Sequence, residues 1–346
     1  ASARLSRGKE IESFEKEFSV YVNKKYAVAT NSGTSALHIA VRSLGWRAGD
    51  EIITTPFSYI ASSNVLLFEG VKPVFVDIDP YTLNIDPKKI EEKITTKTKG
   101  LVIVDIFGLP CDYKEISRIK NKYNLKIIED ACEAFGKPTN DFPVGKLGDI
   151  TVFGFHENKQ ITTLGEGGMI VTDNKILAQK CWSMRDQGRS LKKNWIKNVI
   201  LGFNFRMTEI QAVFGRTQLK IVNRILGRRE QIAEKYKSLL KGCSEVTLPQ
   251  NMSSNKRSWF LYFIICKSFE LREKIYNSLL NAQMGCSKNY FPPIYNFPMY
   301  SKYSGKGFGN TEKISKTLLA LPMFYGMKNT EIKRVVKIIK KAVDDN

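Results

Sequence analysis

Residues 154–172 read Gly154-Phe155-His156-Glu157-Asn158-Lys159-Gln160-Ile161-Thr162-Thr163-Leu164-Gly165-Glu166-Gly167-Gly168-Met169-Ile170-Val171-Thr172. The apolar run from Ile150 to Phe155 reads as a strand ending in a short polar turn that carries one lysine. A Thr-Thr pair and a Gly-Glu-Gly-Gly turn follow, and a second apolar strand begins. A lysine on a tight loop between buried strands is an amine held in one orientation. Such an amine can condense with an aldehyde and then move protons on the carbons beside it. The ordinary alternative is a solvated lysine in a surface hairpin, and the rest of the chain decides between them.

Working outward, strands and helices alternate. Residues 7–22 carry apolar residues at helical spacing, and Tyr26–Thr30 is a strand running into Asn31-Ser32-Gly33-Thr34-Ser35-Ala36-Leu37. Strand, small polar turn and helix is the arrangement in which backbone N–H groups and a helix dipole meet an anion, here on Gly33, Thr34 and Ser35. The alternative is a plain N-cap by Ser32 or Thr34. Further strands are expected at 51–55, 71–77, 100–105 and 125–130, with helices at 60–68, 90–94 and 113–123. This order predicts an α/β fold with a mostly parallel sheet covered on both faces. Ligands of such sheets gather at the carboxyl ends of the strands. There lie Asn31–Ser35, Ser58 and Tyr59, Asp130 and Lys159. Asp130 could hold a pyridine nitrogen protonated or cap a helix; Tyr59 could stack on a ring or sit at the core edge.

Beyond Arg185–Arg189 a polar loop precedes Thr208–Gln211, which resembles a capping box opening a helix to about Arg224. Another helix is expected over Gly227–Leu240, placing a boundary near residues 222–230. The domains are thus 1–225, with an N-terminal helix free to pack on the smaller unit, and a C-terminal α+β domain at 226–346. Gly305–Gly309 follows no strand and reads as a flexible loop.

Composition limits the classes. The 346 residues are 42% hydrophobic and 25% charged, ordinary for a globular protein, and no apolar run approaches a membrane span. Six cysteines without CxxC pairs read as reduced thiols of a cytoplasmic protein, and two histidines argue against a histidine-built metal site. The net charge of +20 raises an anionic partner (nucleic acid, a membrane surface or a phosphorylated small substrate), but the basic residues are spread along the chain and read first as solvated lysine-rich helices and second as a response to phosphorylated ligands.

Five blocks in one order carry a resemblance. Asn31–Leu37, Glu129-Asp130-Ala131-Cys132-Glu133-Ala134, Asn158–Thr163, Gly165–Gly168 and Asn204-Phe205-Arg206-Met207-Thr208-Glu209-Ile210-Gln211-Ala212 together resemble the DegT/DnrJ/EryC1/StrS family. These are pyridoxal 5′-phosphate (PLP)-dependent sugar aminotransferases of fold type I. Arg185–Arg189 and Asn289–Ile294 are similar to its perosamine-synthase-like branch. The resemblance implies that Lys159 holds PLP covalently and shuttles the proton. It implies that Asp130 pairs with the ring nitrogen, Tyr59 stacks on the ring, and Gly33, Thr34 and Ser35 cradle the phosphate. Glu133 is expected near the ring hydroxyl, and Asn204 is expected to reach the phosphate of the neighbouring subunit of a homodimer. Arg206, Tyr290 and Tyr295 are candidate substrate contacts. The expected reaction moves an amino group from L-glutamate, through pyridoxamine phosphate (PMP), to a nucleotide-linked 3- or 4-ketohexose. Departures from the family pattern are Gly154 in place of a phosphate-binding serine, Glu157 in place of proline, the inserted Leu164, and Tyr295 in place of histidine. Two alternatives stand beside this reading. One is a sugar dehydratase on the same scaffold, in which a histidine replaces the lysine. The other is a non-catalytic regulatory or nucleic-acid-binding relative.

Overall fold

The computed structural model describes residues 5–190, 197–250, 255–303, 305 and 307–345. The polar-loop residues 191–196 and Lys306 of the glycine-rich loop fall outside them. The chain order is α1 (Lys9–Tyr21), β1 (Tyr26–Thr30), α2 (Gly33–Ser43), β2 (Glu51–Thr54), α3 (Ala61–Phe68), β3 (Lys72–Phe75), β4 (Thr98–Val104), α4 (Tyr113–Tyr123), β5 (Lys126–Asp130), β6 (Ile150–Gly154), β7 (Gly168–Thr172) and α5 (Lys175–Arg185). It continues with α6 (Glu209–Leu240), β8 (Val246–Thr247), β9 (Tyr262–Cys266), α7 (Phe269–Asn281), α8 (Gly309–Thr317), β10 (Leu318–Leu321) and α9 (Asn329–Asp344).

The first seven strands form one sheet in the order β1-β7-β6-β5-β4-β2-β3. The pairs from β6 through β5, β4 and β2 to β3 are parallel, and β7 runs antiparallel to both β1 and β6. The expected mostly parallel α/β sheet is therefore present. Its strands are buried on both faces because alternate residues feed different cores. Val102, Ile128, Val152 and Ile170 pack toward α2, α3 and α5. Leu101, Ile103 and Ile127 pack with Ile116 and Ile119 of α4. Phe153, Met169 and Val171 pack with Phe14 and Phe18 of α1 and with α6. The N-terminal helix thus belongs to the core of the large sheet.

Two expectations are corrected. Residues 90–94 do not form a helix; two 3-10 turns at Pro87–Lys89 and Glu91–Lys93 stand there, the first capped by the Asp86 side chain. The two helices expected around residues 208–240 are one, α6, of 32 residues, about 48 Å long. Gly227 lies on its exposed side, while Ile225, Arg229, Ile232 and Tyr236 continue the buried stripe beneath it. Packing therefore overrides a cost of about 1 kcal/mol for an internal glycine. The first half of α6 joins the large-sheet core and the second half joins a core with α7, α9 and the antiparallel sheet β10-β9-β8. The capping box opening α6 is present, with Thr208 and Gln211 bonded reciprocally. Among the described residues no helix is long and apolar enough to cross a membrane, and no cluster of His, Cys, Asp or Glu could hold a metal ion.

Candidate active site

A cavity of about 540 Å³ opens at the carboxyl ends of β4, β5 and β6. Ser32, Gly33 and Thr34 at the start of α2, Asp130, Glu133 and Lys159 beyond the ends of β5 and β6, and Lys288, Asn289 and Tyr290 from the loop after α7 all line it. Ser32 caps α2, its Oγ accepting from the Ser35 N–H at 3.0 Å, so the cap reading is realised at Ser32. The first turn of α2, whose N–H groups a helix leaves without intrahelical partners, borders the cavity at Gly33 and Thr34. Ser35 does not line the cavity; its hydroxyl bonds the Ser32 Oγ at 2.9 Å.

Asp130 closes β5 and is buried. Its Oδ2 accepts from the Ser62 hydroxyl at 2.6 Å and its Oδ1 from the Cys132 N–H at 3.1 Å. No helix begins after Asp130, so the cap reading is not realised; the carboxylate is aimed instead by a side chain of α3 and by its own turn. Tyr59 lies at the rim, well exposed, with its ring open to a ligand in the cavity.

Lys159 sits in the turn after β6, its backbone N–H bonded to the His156 carbonyl at 2.9 Å. Its Nζ lies 3.9 Å from Glu133 Oε1 and 4.1 Å from the centre of the Phe260 ring. Glu133 is buried, and burial raises its pKa, while the Lys159 charge and the bonds from Tyr290 and the Phe107 N–H pull the other way. The turn is intact around Leu164. That residue takes a left-handed conformation (φ +59°) on the surface, and Phe155 N–H reaches the Gly167 carbonyl at 2.8 Å.

Gly154 carries a second consequence. A Cβ built there would lie 3.2 Å from the Cys132 Sγ, and one on Gly33 would meet the same sulfur at 3.2 Å. The thiol thus fills the space between Gly33 and Gly154 that a side chain at either position would need. Burial pushes the Cys132 pKa well up, so the group there is a neutral thiol.

The remaining expected residues are dispersed. Asn204 is exposed and pairs through its backbone with Asp186 outside the cavity, and Arg206 bonds the Asp186 carboxylate at 2.7 Å. Tyr295 is buried against Phe308, with ring centres 4.8 Å apart, away from the cavity. Other residues come to the site from segments with no local motif. Residues 255–260 strap the C-terminal part to the large sheet. Asn255 bonds the Pro110 and Cys111 carbonyls, Arg257 the Ile106 carbonyl (3.1 Å), and Ser258 N–H the Gly108 carbonyl (2.8 Å). Gln160 ties this strap to the lysine turn through Ser258 Oγ (3.2 Å) and the Glu133 carbonyl (2.7 Å).

A model of the DegT/DnrJ/EryC1/StrS aminotransferase family matches residues 1–340. The chain belongs to that family. It is 35% identical to a GDP-perosamine synthase of Escherichia coli O157:H7 over 98% of this chain and 92% of that protein. It is 34% identical to a 3-oxo-glucose-6-phosphate:glutamate aminotransferase of Bacillus subtilis over 99% of this chain and 78% of the relative. The crystal structure of NtdA from Bacillus subtilis with bound cofactor PMP superposes with a TM-score of 0.91 at 32% identity, over 99% of this chain and 78% of that one. The protein is therefore a PLP-dependent aminotransferase of fold type I. The residues present suit that cofactor. One amine can take an aldehyde, one buried carboxylate can face a ring nitrogen, and a helix N-terminus beside two glycines can receive a phosphate.

Proposed function

We propose that this aminotransferase moves the amino group of L-glutamate to the keto carbon of a nucleotide-diphosphate ketosugar. The carrying observation is the convergence of the Lys159 amine, the Asp130 and Glu133 carboxylates and the start of α2 on one cavity. Relatives named GDP-perosamine synthase and dTDP-3-amino-3,6-dideoxy-alpha-D-galactopyranose transaminase support the sugar class. The glutamate in the name of the Bacillus subtilis relative supports the donor. A lysine at position 159 speaks against the dehydratase alternative.

When bound, PLP supplies an electron sink that lets a C–H bond beside the transferred nitrogen break. The chain's own residues do the rest. Lys159 would hold the cofactor through its amine and would serve as the base that takes and returns the proton of that C–H bond. Asp130, fixed by Ser62, keeps the ring nitrogen protonated, and Tyr59 covers the ring face. Gly33, Thr34 and Ser35 with the α2 dipole hold the phosphate, Ser35 acting through the Ser32 cap. Glu133 holds the ring hydroxyl. Residues 1–225 form the unit that holds the cofactor, and 226–346 the smaller unit that closes the site.

The functional unit in this reading is a homodimer, located in the cytoplasm. Asn204 and Arg206 lie outside their own cavity, next to exposed Leu201, Ile210 and Val213. A second copy covering that apolar surface would bring its Asn204 to the phosphate and its Arg206 toward the sugar. Tyr295, packed on Phe308, acts on the sugar only by shaping the loop that carries Tyr290.

Lys159→Ala tests the reading. The variant should bind PLP without a covalent bond and show no amino transfer; turnover within tenfold of wild type would remove the assignment.

A further inference from the structure

Tyr290, expected at the substrate, has a different partner in the structure. It lies in the loop after α7, with a left-handed backbone (φ +61°), a conformation that aromatic residues rarely adopt. Its ring stacks on Phe107 (5.3 Å between centres, 7° between planes) and meets Phe57 edge-on at 5.1 Å. From that fixed position its O–H donates to Glu133 Oε1. The other oxygen, Oε2, accepts from the Phe107 N–H at 2.9 Å. Phe107 is itself left-handed (φ +52°), and its carbonyl accepts from the buried Arg257 guanidinium. Glu133 thus has a donor on each oxygen. Lys159 stands on its open side and Arg257 behind the loop; Asp130 and Cys132 face it from the end of β5. Donors on both oxygens and two nearby cations suit a carboxylate rather than an acid.

We propose that Tyr290 is a positioning residue: its hydroxyl holds Glu133 as a carboxylate beside the Lys159 amine, so seating the loop that carries it sets the charge of the site. This rests on the reading of Lys159 as the cofactor-bearing amine. Burial is the largest influence on Glu133 and favours the protonated acid, and the Tyr290 bond opposes it. Tyr290→Phe deletes that donor and keeps the stacked ring. The loop then remains seated while Glu133 holds its proton to higher pH.

The experiment begins with cofactor-free protein labelled with carboxyl-13C glutamate, the Glu133 signal being the one lost in Glu133→Gln. Its titration midpoint should rise by about one pH unit in Tyr290→Phe, the size of one hydrogen bond to a carboxylate. In PLP-loaded protein, Tyr290→Phe should lower kcat for the glutamate and sugar half-reactions alike, by roughly 3–30-fold, with the sugar KM unchanged. In a Glu133→Gln background it should lower kcat no further. An unmoved Glu133 midpoint, or a raised sugar KM with the glutamate half-reaction intact, would overturn the proposal and return Tyr290 to substrate contact. Failure of wild-type protein to take up PLP would sink the Lys159 reading instead, and the carboxyl titration would still decide the role of Tyr290.

Discussion

Asp105→Asn should make the protein more stable, increasingly so as pH rises. Asp105 follows β4, is wholly buried, and its N–H bonds the Asp130 carbonyl at 3.2 Å, so it underlies the strand end that aims the cofactor-side carboxylate. Tyr113 O–H bridges it, at 3.2 Å, to Glu129, which also accepts from Gly145 N–H, Gly148 N–H and the Thr151 hydroxyl. One tyrosine proton cannot serve two carboxylates. Burial first, and the Glu129 charge second, push the Asp105 pKa well up. With the two carboxylates separated by one hydroxyl, about 5 Å, their repulsion at an effective dielectric near 20 is about 3 kcal/mol, and burial acts in the same direction.

A carboxyl whose pKa is raised on folding binds more protons folded than unfolded above pH ~4, so it costs stability as pH climbs, by up to about 1.4 kcal/mol per unit, until its folded pKa is passed. Asparagine carries no such penalty. Its Oδ1 can still accept from Cys111 N–H, as Asp105 does at 3.0 Å, and its amide can donate to the Tyr113 oxygen. Urea unfolding of both proteins from pH 4.5 to pH 8 should show Asp105→Asn gaining at least about 2 kcal/mol on wild type across the range. A difference that stays constant with pH would refute the shared-proton argument, as would a variant that loses stability toward pH 8.

Other predictions concern the cavity. Ser62→Ala removes the 2.6 Å bond to Asp130, and PLP should bind roughly 5–30-fold more weakly by equilibrium dialysis, from about 1–2 kcal/mol of lost orientation. Gly154→Ser places a Cβ 3.2 Å from the Cys132 sulfur; it should weaken PLP binding several-fold, and adding Cys132→Ala should reverse that loss in a double-mutant cycle. If Asn204 of a second copy holds the phosphate as proposed, Asn204→Ala should raise the PLP dissociation constant about tenfold, the loss of one hydrogen bond to a charged group; an unchanged constant would remove Asn204 from the phosphate site.

The sequence shows this fold most clearly where periodicity acts locally. The apolar runs at 26–30, 51–54, 126–130 and 150–154 are buried strands, and residues that follow each of them line the cavity. Local reading stops where a decision depends on distant packing. Gly227 signals a break, yet the buried stripe from Val222 to Tyr236 carries the helix through it. Ile90–Ile94 has helical apolar spacing, yet the chain turns twice there in 3-10 form because Asp86 and Pro87 cap a tighter start. At the site, Lys159 and Asp130 stand at strand ends and were visible as such. Ser62, Arg257 and Phe260 were not. Ser62 meets Asp130 across 68 residues and Arg257 meets Ile106 across 151, and no local spacing encodes either meeting. Tyr290 was visible as a residue of a Pro/Tyr-rich loop, but its hydroxyl partner, 157 residues away, was not.

The most direct test of the central claim is an absorption spectrum of the purified protein with PLP, before and after L-glutamate. A lysine-bound cofactor predicts a band near ~410–430 nm that moves toward ~330 nm as the amino group is taken up. A spectrum that remains that of free PLP would contradict the claim that Lys159 carries the cofactor, and a bound band indifferent to glutamate would contradict the proposed donor.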